Sequence, residues 1–312
     1  MDASATIEVE KWPVYQPNVA TSAAGPRART RLKDFWDLTK PRMNFLVLAT
    51  TMAGFYMAAR GWGAWGRFLS TLLGTALTAA GASVLNQVIE RDYDALMRRT
   101  ANRPLPAGRV RPIEAWLFGA ALSISGIAVL ATLVNWLTAL LGAITLVTYL
   151  FLYTPAKRHT TLCTIIGAVP GALPAMMGVT AVDGAITPPA LALFGVLFVW
   201  QMPHFLSIAI LYRGDYARGG FQMLPVLDES LDVTARQIVL YCLALIPVAL
   251  MPVMLNMAGQ VYFAAALLLG TAFLGFAVIC ARSKSRVEAR RFFLASIVYL
   301  PALLAAMTLD KL

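Results

Sequence analysis

Charged residues are scarce in this sequence of 312 residues. Only 13% are Asp, Glu, Lys or Arg, whereas soluble domains carry roughly 25%. Hydrophobic residues make up 59%, and the mean hydropathy is +0.67. This composition excludes an ordinary soluble domain. Long apolar runs separated by short polar ones instead indicate an all-α, polytopic membrane protein.

Cysteine and histidine are also rare. Cys163, Cys242 and Cys280 fall singly within apolar runs and lack metal-like spacing, which favours small buried core residues. The only histidines are His159 and His204. A soluble module of interleaved basic and aromatic residues is absent as well, so the net charge of +10 does not indicate a nucleic-acid partner.

Nine apolar runs are long enough to cross a bilayer, which takes about 20 mostly apolar residues. They are 43–60, 68–89, 113–132, 134–153, 162–182, 188–212, 236–257, 260–281 and 291–309. We therefore predict one transmembrane domain, residues 43–309. The polar, Pro/Ala-rich residues 1–42 are predicted to form a disordered tail. The acids Asp2, Glu8 and Glu10 in this tail argue against a mitochondrial transit peptide.

Basic residues indicate the orientation in the membrane. With nine spans, the tail and four loops share one side, and only Arg60, Arg67 and Lys311 lie on the other. Cytoplasmic loops collect Lys and Arg, so this pattern predicts a cytoplasmic N-terminus and cytoplasmic loops. A bacterial inner (plasma) membrane is favoured over the mitochondrial inner membrane. Most acidic residues gather on the same side, which the positive-inside rule does not require.

One carboxylate motif lies where the second apolar run ends. Asn86, Glu90 and Asp94 are spaced i, i+4, i+8, which places all three on one stripe of a helix. An amide and two carboxylates suit Mg²⁺, a hard cation that completes its shell with waters and substrate phosphates. The bland alternative is a solvated helix end with salt bridges. Ionisable residues at the end of an intramembrane helix are more often functional.

Basic residues extend this motif. Arg98 and Arg103 follow Asp94, and Pro104 and Pro106 end the helix. Guanidinium groups bind phosphate in bidentate fashion, so carboxylates, Mg²⁺, a diphosphate and arginines form a coherent assembly.

Two further segments reach the same membrane face. One carries Asp215 and Tyr216 within "YRGDYARGG", and the other carries Lys157 and Arg158 within "LYTPAKRHTT". Tyr153, just before that lysine, is either an interfacial belt residue or a ring facing a cationic intermediate.

His204 precedes Asp215 by about three helical turns and therefore lies within the membrane or near its edge. The residues leave two readings open: a satisfied core histidine, or an imidazole ligand for haem iron.

Four motifs in order resemble a known family. "NQVIERDYDALMRRTANRPLPAG" resembles the first signature of the UbiA superfamily of intramembrane prenyltransferases. Its Asn-Gln-x-x-Glu form resembles the protohaem IX farnesyltransferase (haem O synthase) subfamily, as do "YTPAKRHTTLCTIIGAVPGALPAMMG", "WQMPHF" and "DYARGGFQMLPV". The resemblance extends from Leu38 to Leu309 and implies about nine transmembrane helices around a central cavity.

The resemblance implies a reaction and its substrates. A farnesyl group would pass from farnesyl diphosphate to a vinyl group of haem B, with addition of water, to give haem O. Mg²⁺ would be the cofactor, and haem A synthase or oxidase assembly proteins are possible partners. The nearest alternative is a prenyltransferase acting on an aromatic quinone precursor. An ion-coupled transporter is remote, because transporters place ionisable groups near the bilayer midplane and here the acids cluster at helix ends.

The resemblance also assigns roles to residues. Asn86, Glu90 and Asp94 would hold Mg²⁺, and Asp215 would support a second metal or the leaving group. Four basic residues would neutralise the diphosphate: Arg98, Arg103, Lys157 and Arg158. His204 would belong to the haem pocket, with Tyr153 and Tyr216 as possible cation-stabilising rings. The sequence departs from the family at Leu211, where most members have a second acid, and this puts a full second metal site in doubt.

Overall fold

The computed structural model describes residues 30–61 and 65–312, and within them the regular secondary structure is helical. The nine long helices, here α1 to α9, are Pro41–Ala58, Trp65–Ile89, Pro112–Leu133, Trp136–Val147, Cys163–Asp183, Pro188–Leu211, Asp232–Met254, Gln260–Ser283 and Arg286–Leu309. Helix α4 continues as a π-helix, Thr148–Tyr153, and a final turn, Thr154–Ala156. Short helices are Arg31–Leu38, Arg91–Asp94, Arg213–Arg218 and Leu224–Leu227. The all-α prediction is confirmed.

Eight of these segments in the described residues, α2 to α9 with the α4 extension, are long and apolar enough to cross a membrane. The chain is therefore a multi-pass membrane protein. Helix α1 matches the first predicted span, but it has only 18 residues and begins with Pro41, Arg42 and Asn44, which lower its hydropathy. The boundary between the third and fourth spans falls at Asn135, whose side chain caps α4 by accepting the Thr138 N–H at 2.8 Å.

Helix α5 lies at the centre of the bundle. Its apolar stretch is 72% buried, whereas the next most buried spanning helix, α6, reaches 50%. Backbone contact with α1 explains part of this burial. A Cβ atom on Gly54 would overlap the carbonyl oxygen of Ala175, and one on Gly178 would overlap that of Thr51. Small residues allow such approach between membrane helices, where lipid provides no hydrophobic drive for association.

Helices α2 and α3 pack closely through a similar set of glycines. A Cβ atom on Gly81 would overlap Ser123 Oγ, and one on Gly126 would overlap the hydroxyl oxygen of Thr78. This contact fixes α2, the helix that ends in the first carboxylate motif.

The short helix Arg31–Leu38 belongs to the folded part of the chain. Leu38 is fully buried and packs with Val84 and Leu105, and the carbonyl oxygen of Leu38 accepts a hydrogen bond from Gln87 at 2.7 Å. Asp34 pairs with Arg109 at 2.9 Å. Residues 31–42 therefore do not form the predicted disordered tail, because long-range contacts order a segment too short to show periodicity. Residues 1–29 of that predicted tail lie outside the described residues.

Candidate active site

The first carboxylate motif keeps its predicted stripe although α2 ends at Ile89. Hydrogen bonds of the helical type continue from the Glu90 N–H to the Asn86 carbonyl at 2.9 Å, and from the Asp94 N–H to the Glu90 carbonyl at 2.8 Å. Asn86, Glu90 and Asp94 are 1%, 6% and 1% exposed. Two carboxylates therefore lie buried at one end of an apolar bundle, where each requires a partner.

Each buried carboxylate pairs with a cation from elsewhere in the chain. Lys157 Nζ lies 2.7 Å from Glu90 Oε1, and Arg103 lies 2.6 Å from Asp94 Oδ2. Burial opposes the positive charge of Lys157, but the Glu90 carboxylate outweighs it and the pKa of Lys157 is raised. The structure thus brings together four of the predicted site residues in two ion pairs.

A third basic residue of the cluster, half-buried Lys40, was missed by the sequence analysis. Its Nζ donates to Asn86 Oδ1 at 3.2 Å, from a left-handed backbone position (φ 50°) immediately before α1. Burial and the neighbouring charge of Arg103 lower the pKa of Lys40 to about 7, although Glu90 acts in the opposite direction. The available signal was weak: Lys40 precedes Pro41 on the predicted cytoplasmic side, at a boundary assigned to the tail.

The π-helix at the end of α4 supplies aromatic walls. Such π segments occur often at functional sites. Thr154 Oγ1 donates to the Tyr149 carbonyl at 2.8 Å and accepts from Asn86 Nδ2 at 3.0 Å. The Tyr149 and Tyr153 rings lie 5.5 Å apart, and Lys157 Nζ lies 4.5 Å from the Tyr153 ring centre. Tyr149, also missed from sequence, donates to Asn86 Oδ1 at 3.5 Å.

The second motif is arranged differently. Asp215 pairs with Arg218 on its own short helix and accepts the backbone N–H of Arg98 at 3.1 Å. It therefore ties the loop after α6 to the loop after α2. Tyr216 approaches Arg99, which also lies over the Tyr212 ring at 4.7 Å.

The remaining predicted residues lie at the edge of the cluster or away from it. Arg158 is exposed, with its guanidinium 4.2 Å from the centre of the Tyr93 ring. The Arg98 side chain is exposed as well. Tyr153 and Tyr216 together line a small cavity of about 30 Å³.

His204 lines a separate apolar groove of about 1070 Å³. The walls of the groove come mainly from α1, α6 and α9, and from the start of α2. Met43, which lies one turn from Lys40, and Gln201 also contribute. Ligand pockets are typically about 300–1,000 Å³, so this groove has room for a large apolar ligand.

The donor set of the first motif fits Mg²⁺ as an incomplete site. It offers one amide and two carboxylates, the hard oxygen donors that Mg²⁺ prefers. No group of three or more His, Cys, Asp or Glu gathers anywhere in residues 30–61 and 65–312. A metal at Asn86, Glu90 and Asp94 would therefore need oxygens from waters and a substrate phosphate, which is how Mg²⁺ usually binds.

The chain is similar to known proteins over most of its length. Residues 47–300 match the model of the UbiA prenyltransferase family. The chain belongs to the UbiA prenyltransferase family. It is a prenyltransferase, as are its named relatives. A "Protoheme IX farnesyltransferase" of Solibacter usitatus is 46% identical over 289 residues, covering 90% of this chain and 99% of that protein. A "Protoheme IX farnesyltransferase" of Koribacter versatilis is 43% identical, covering 92% of this chain and 96% of that protein.

Solved structures of UbiA members share the fold at low sequence identity. A digeranylgeranylglyceryl phosphate synthase structure aligns with a TM-score of 0.76 at 15% identity, covering 89% of this chain and 98% of that one. A UbiA homologue from Archaeoglobus fulgidus, bound to DMAPP and Mg²⁺, aligns with a TM-score of 0.68 at 16% identity, covering 88% and 99%. At these identities the likeness establishes the shared fold.

Proposed function

We propose that this UbiA prenyltransferase transfers the farnesyl group of farnesyl diphosphate to a vinyl group of haem B, giving haem O and diphosphate. The name carried by relatives 40–47% identical over most of their length supports the choice of substrates. The geometry supports the diphosphate half of the reaction, and the apolar groove suits both a farnesyl chain and a porphyrin.

The observation that carries the diphosphate assignment is a surplus of basic side chains around the buried carboxylates. Lys157 pairs with Glu90, Arg103 pairs with Asp94, and Lys40 donates to Asn86, so three basic groups surround two carboxylates. An anionic ligand would complete the balance. It would also restore charge to Lys40, whose pKa is lowered to about 7 by burial and by Arg103.

Bound Mg²⁺, held by Asn86, Glu90 and Asp94 together with the substrate, would neutralise charge that develops on the diphosphate. Lys157 and Arg103 would then leave the carboxylates and pair with phosphate oxygens. Preorganised cations aimed at developing negative charge are usually the largest contribution to such catalysis.

The bond changes balance without a redox step. The bond between farnesyl C1 and the diphosphate oxygen breaks, and its electron pair leaves with the diphosphate. The π electrons of the vinyl group form a new carbon–carbon bond to C1, and water adds to the resulting cation and loses a proton to the diphosphate. The Tyr149 and Tyr153 rings would stabilise the allylic cation. The apolar walls would exclude water until the carbon–carbon bond forms.

The test is mass-spectrometric detection of haem O after expression in a bacterial host that lacks haem O synthase. Purified protein with farnesyl diphosphate, haem B and Mg²⁺ should give the same product. Conversion of 4-hydroxybenzoate but not of haem B would instead establish the quinone-precursor activity. Movement of a substrate into liposomes without chemical conversion would establish transport.

We also propose that the charged end of the bundle faces the cytoplasm of a bacterial plasma membrane, close to haem A synthase or oxidase assembly proteins. The basic loops around the site support this orientation. A cysteine replacing exposed Arg286 should react with a membrane-impermeant thiol reagent in inside-out vesicles and not in right-side-out vesicles.

A further inference from the structure

His204 is held by four neighbours on two helices. Trp200, one turn earlier on α6, stacks on the imidazole with ring centres 4.8 Å apart, and Phe293 of α9 stacks on it at 5.3 Å. Ser296 Oγ, also on α9, lies 2.7 Å from His204 Nδ1. Phe205, the next residue on α6, makes a tilted ring contact at 5.6 Å. The three ring contacts and the hydrogen bond together fix the orientation of the imidazole.

The hydrogen bonds of Ser296 decide which nitrogen carries the proton. The single hydroxyl proton of Ser296 is donated to the Phe293 carbonyl oxygen at 2.6 Å. Ser296 Oγ is therefore an acceptor towards His204, so the proton lies on Nδ1. Trp200 Nε1 donates to the Ser296 carbonyl oxygen at 3.1 Å, which fixes the serine backbone beside the ring. Neutral His204 thus carries its lone pair on Nε2.

The imidazole also borders the apolar groove. Trp200 and Phe293 stack on the ring and Ser296 bonds Nδ1, so Nε2 is the ring nitrogen left for a ligand in the groove. A neutral imidazole whose other nitrogen donates to a fixed acceptor is the usual form of a histidine that ligates a metal.

We propose that Ser296 is a positioning residue that presents Nε2 of His204 as an axial ligand to the iron of the porphyrin substrate. The inference rests on the proposed function for the identity of the porphyrin. It adds that the enzyme recognises a metalloporphyrin through its metal, so that iron-free protoporphyrin IX is a poor ligand. The groove supplies the apolar contacts, and His204 supplies the directional bond.

The experiment measures binding by absorption spectroscopy of haem B added to purified protein in nanodiscs, without farnesyl diphosphate. Wild-type protein should give the spectrum of imidazole-ligated haem. His204→Ala should lose that spectrum, and added imidazole should restore it. Ser296→Ala should bind haem B about 10- to 100-fold more weakly, the usual cost of losing a partner that orients a metal ligand.

Ser207 offers a matched control. It is a fully buried serine on α6 whose hydroxyl donates to the His204 carbonyl oxygen at 2.7 Å and does not bond the ring. Ser207→Ala should bind haem B like wild type. Equal affinity of the Ser296→Ala and Ser207→Ala variants would overturn the positioning role. An unchanged spectrum in His204→Ala, or equal binding of protoporphyrin IX and haem B, would overturn the iron contact.

A parallel assay of haem O formation separates this inference from the proposed function. Wild-type protein that makes haem O without a His204-dependent spectrum would refute the iron contact and leave the reaction established. If the wild-type protein shows the His204-dependent spectrum but forms no haem O, the proposed reaction is refuted and His204 remains an iron ligand. Thermal unfolding of each variant, measured alongside, identifies a loss of binding caused by misfolding, and imidazole rescue of His204→Gly then decides the ligand role.

Discussion

The two acidic motifs of this UbiA prenyltransferase lie at the same end of the bundle, yet their surroundings differ. Glu90 and Asp94 are buried and pair with cations that lie far from them in sequence or across a loop. Asp215 is half-buried, pairs with Arg218 three residues away, and accepts a backbone N–H from the loop after α2. The structure thus buries the charges of the first motif and places the second between two loops, and we propose that the first takes part in the chemistry whereas the second holds a loop in place.

The largest expected effect is loss of either buried carboxylate. Glu90→Gln and Asp94→Asn should each lower kcat by about 10³-fold or more, because each removes a proposed metal ligand and the partner of a cation, buried Lys157 or half-buried Arg103. Turnover of farnesyl diphosphate and haem B by purified protein measures the effect. Glu114→Gln, which alters a half-buried carboxylate paired with exposed Arg31 outside the cluster, is the control and should retain activity. Full activity in both site variants would remove the metal assignment.

The next effect concerns Lys40 and pH. Because burial and Arg103 lower the pKa of Lys40 to about 7, the side chain is mostly neutral above that pH in the free protein. A bound diphosphate favours the charged form of Lys40, so binding of farnesyl diphosphate should take up a proton. The Kd for farnesyl diphosphate should therefore rise by up to about tenfold per pH unit above about pH 7. The diphosphate itself also titrates in this range. The difference in the pH dependence of Kd between wild type and Lys40→Met isolates the contribution of Lys40.

Calorimetry at pH 8 in two buffers of different ionisation enthalpy measures the proton taken up. The Lys40→Arg variant should bind farnesyl diphosphate tightly and take up fewer protons on binding, because a guanidinium stays protonated. Equal proton uptake by the wild type and Lys40→Met would show that Lys40 does not contact the ligand.

A smaller effect is expected at Asp215. Asp215→Asn keeps the shape of the side chain and weakens its hydrogen bond with the Arg98 N–H. At a partly exposed site such a bond contributes about 1 kcal/mol, so kcat/KM should fall by about fivefold. Measured kinetics of the variant at saturating Mg²⁺ provide the test. A loss as large as that of Asp94→Asn would make Asp215 a second metal ligand, as the family resemblance implies.

The smallest effect is expected at Arg158, which the resemblance assigns to the diphosphate. Arg158 is exposed and stacks on Tyr93, so Arg158→Gln should raise the KM for farnesyl diphosphate by only about two- to fivefold, the range of an exposed cation–π contact. Lys157→Gln, the buried neighbour, should cost far more. Equal losses in the two variants would place Arg158 on the diphosphate after all.

Helical periodicity made the first motif predictable. Asn86, Glu90 and Asp94 lie within nine residues, and the four-residue spacing alone places them on one stripe, even across the break at Ile89. Apolar run lengths likewise predicted the bundle. The pairing of Lys157 with Glu90 was beyond sequence reasoning, because 67 residues separate them and α4 must turn through a π segment to bring them together.

The missed residues share a physical reason. Lys40 sits in an irregular left-handed position between two helices, and Tyr149 is an ordinary aromatic in an apolar run until the π-helix directs it to Asn86. Neither position carries a periodic signal.

The sequence by itself determined the class of protein, the approximate spans and the oxygen-rich stripe, because these depend on local hydropathy and on the helical repeat. Tertiary structure alone decided which cation meets which carboxylate, that Asp215 braces a loop, and that Ser296 sets the tautomer of His204. Those outcomes depend on contacts between helices far apart in the chain, and close packing through residues such as Gly54 and Gly178 fixes them.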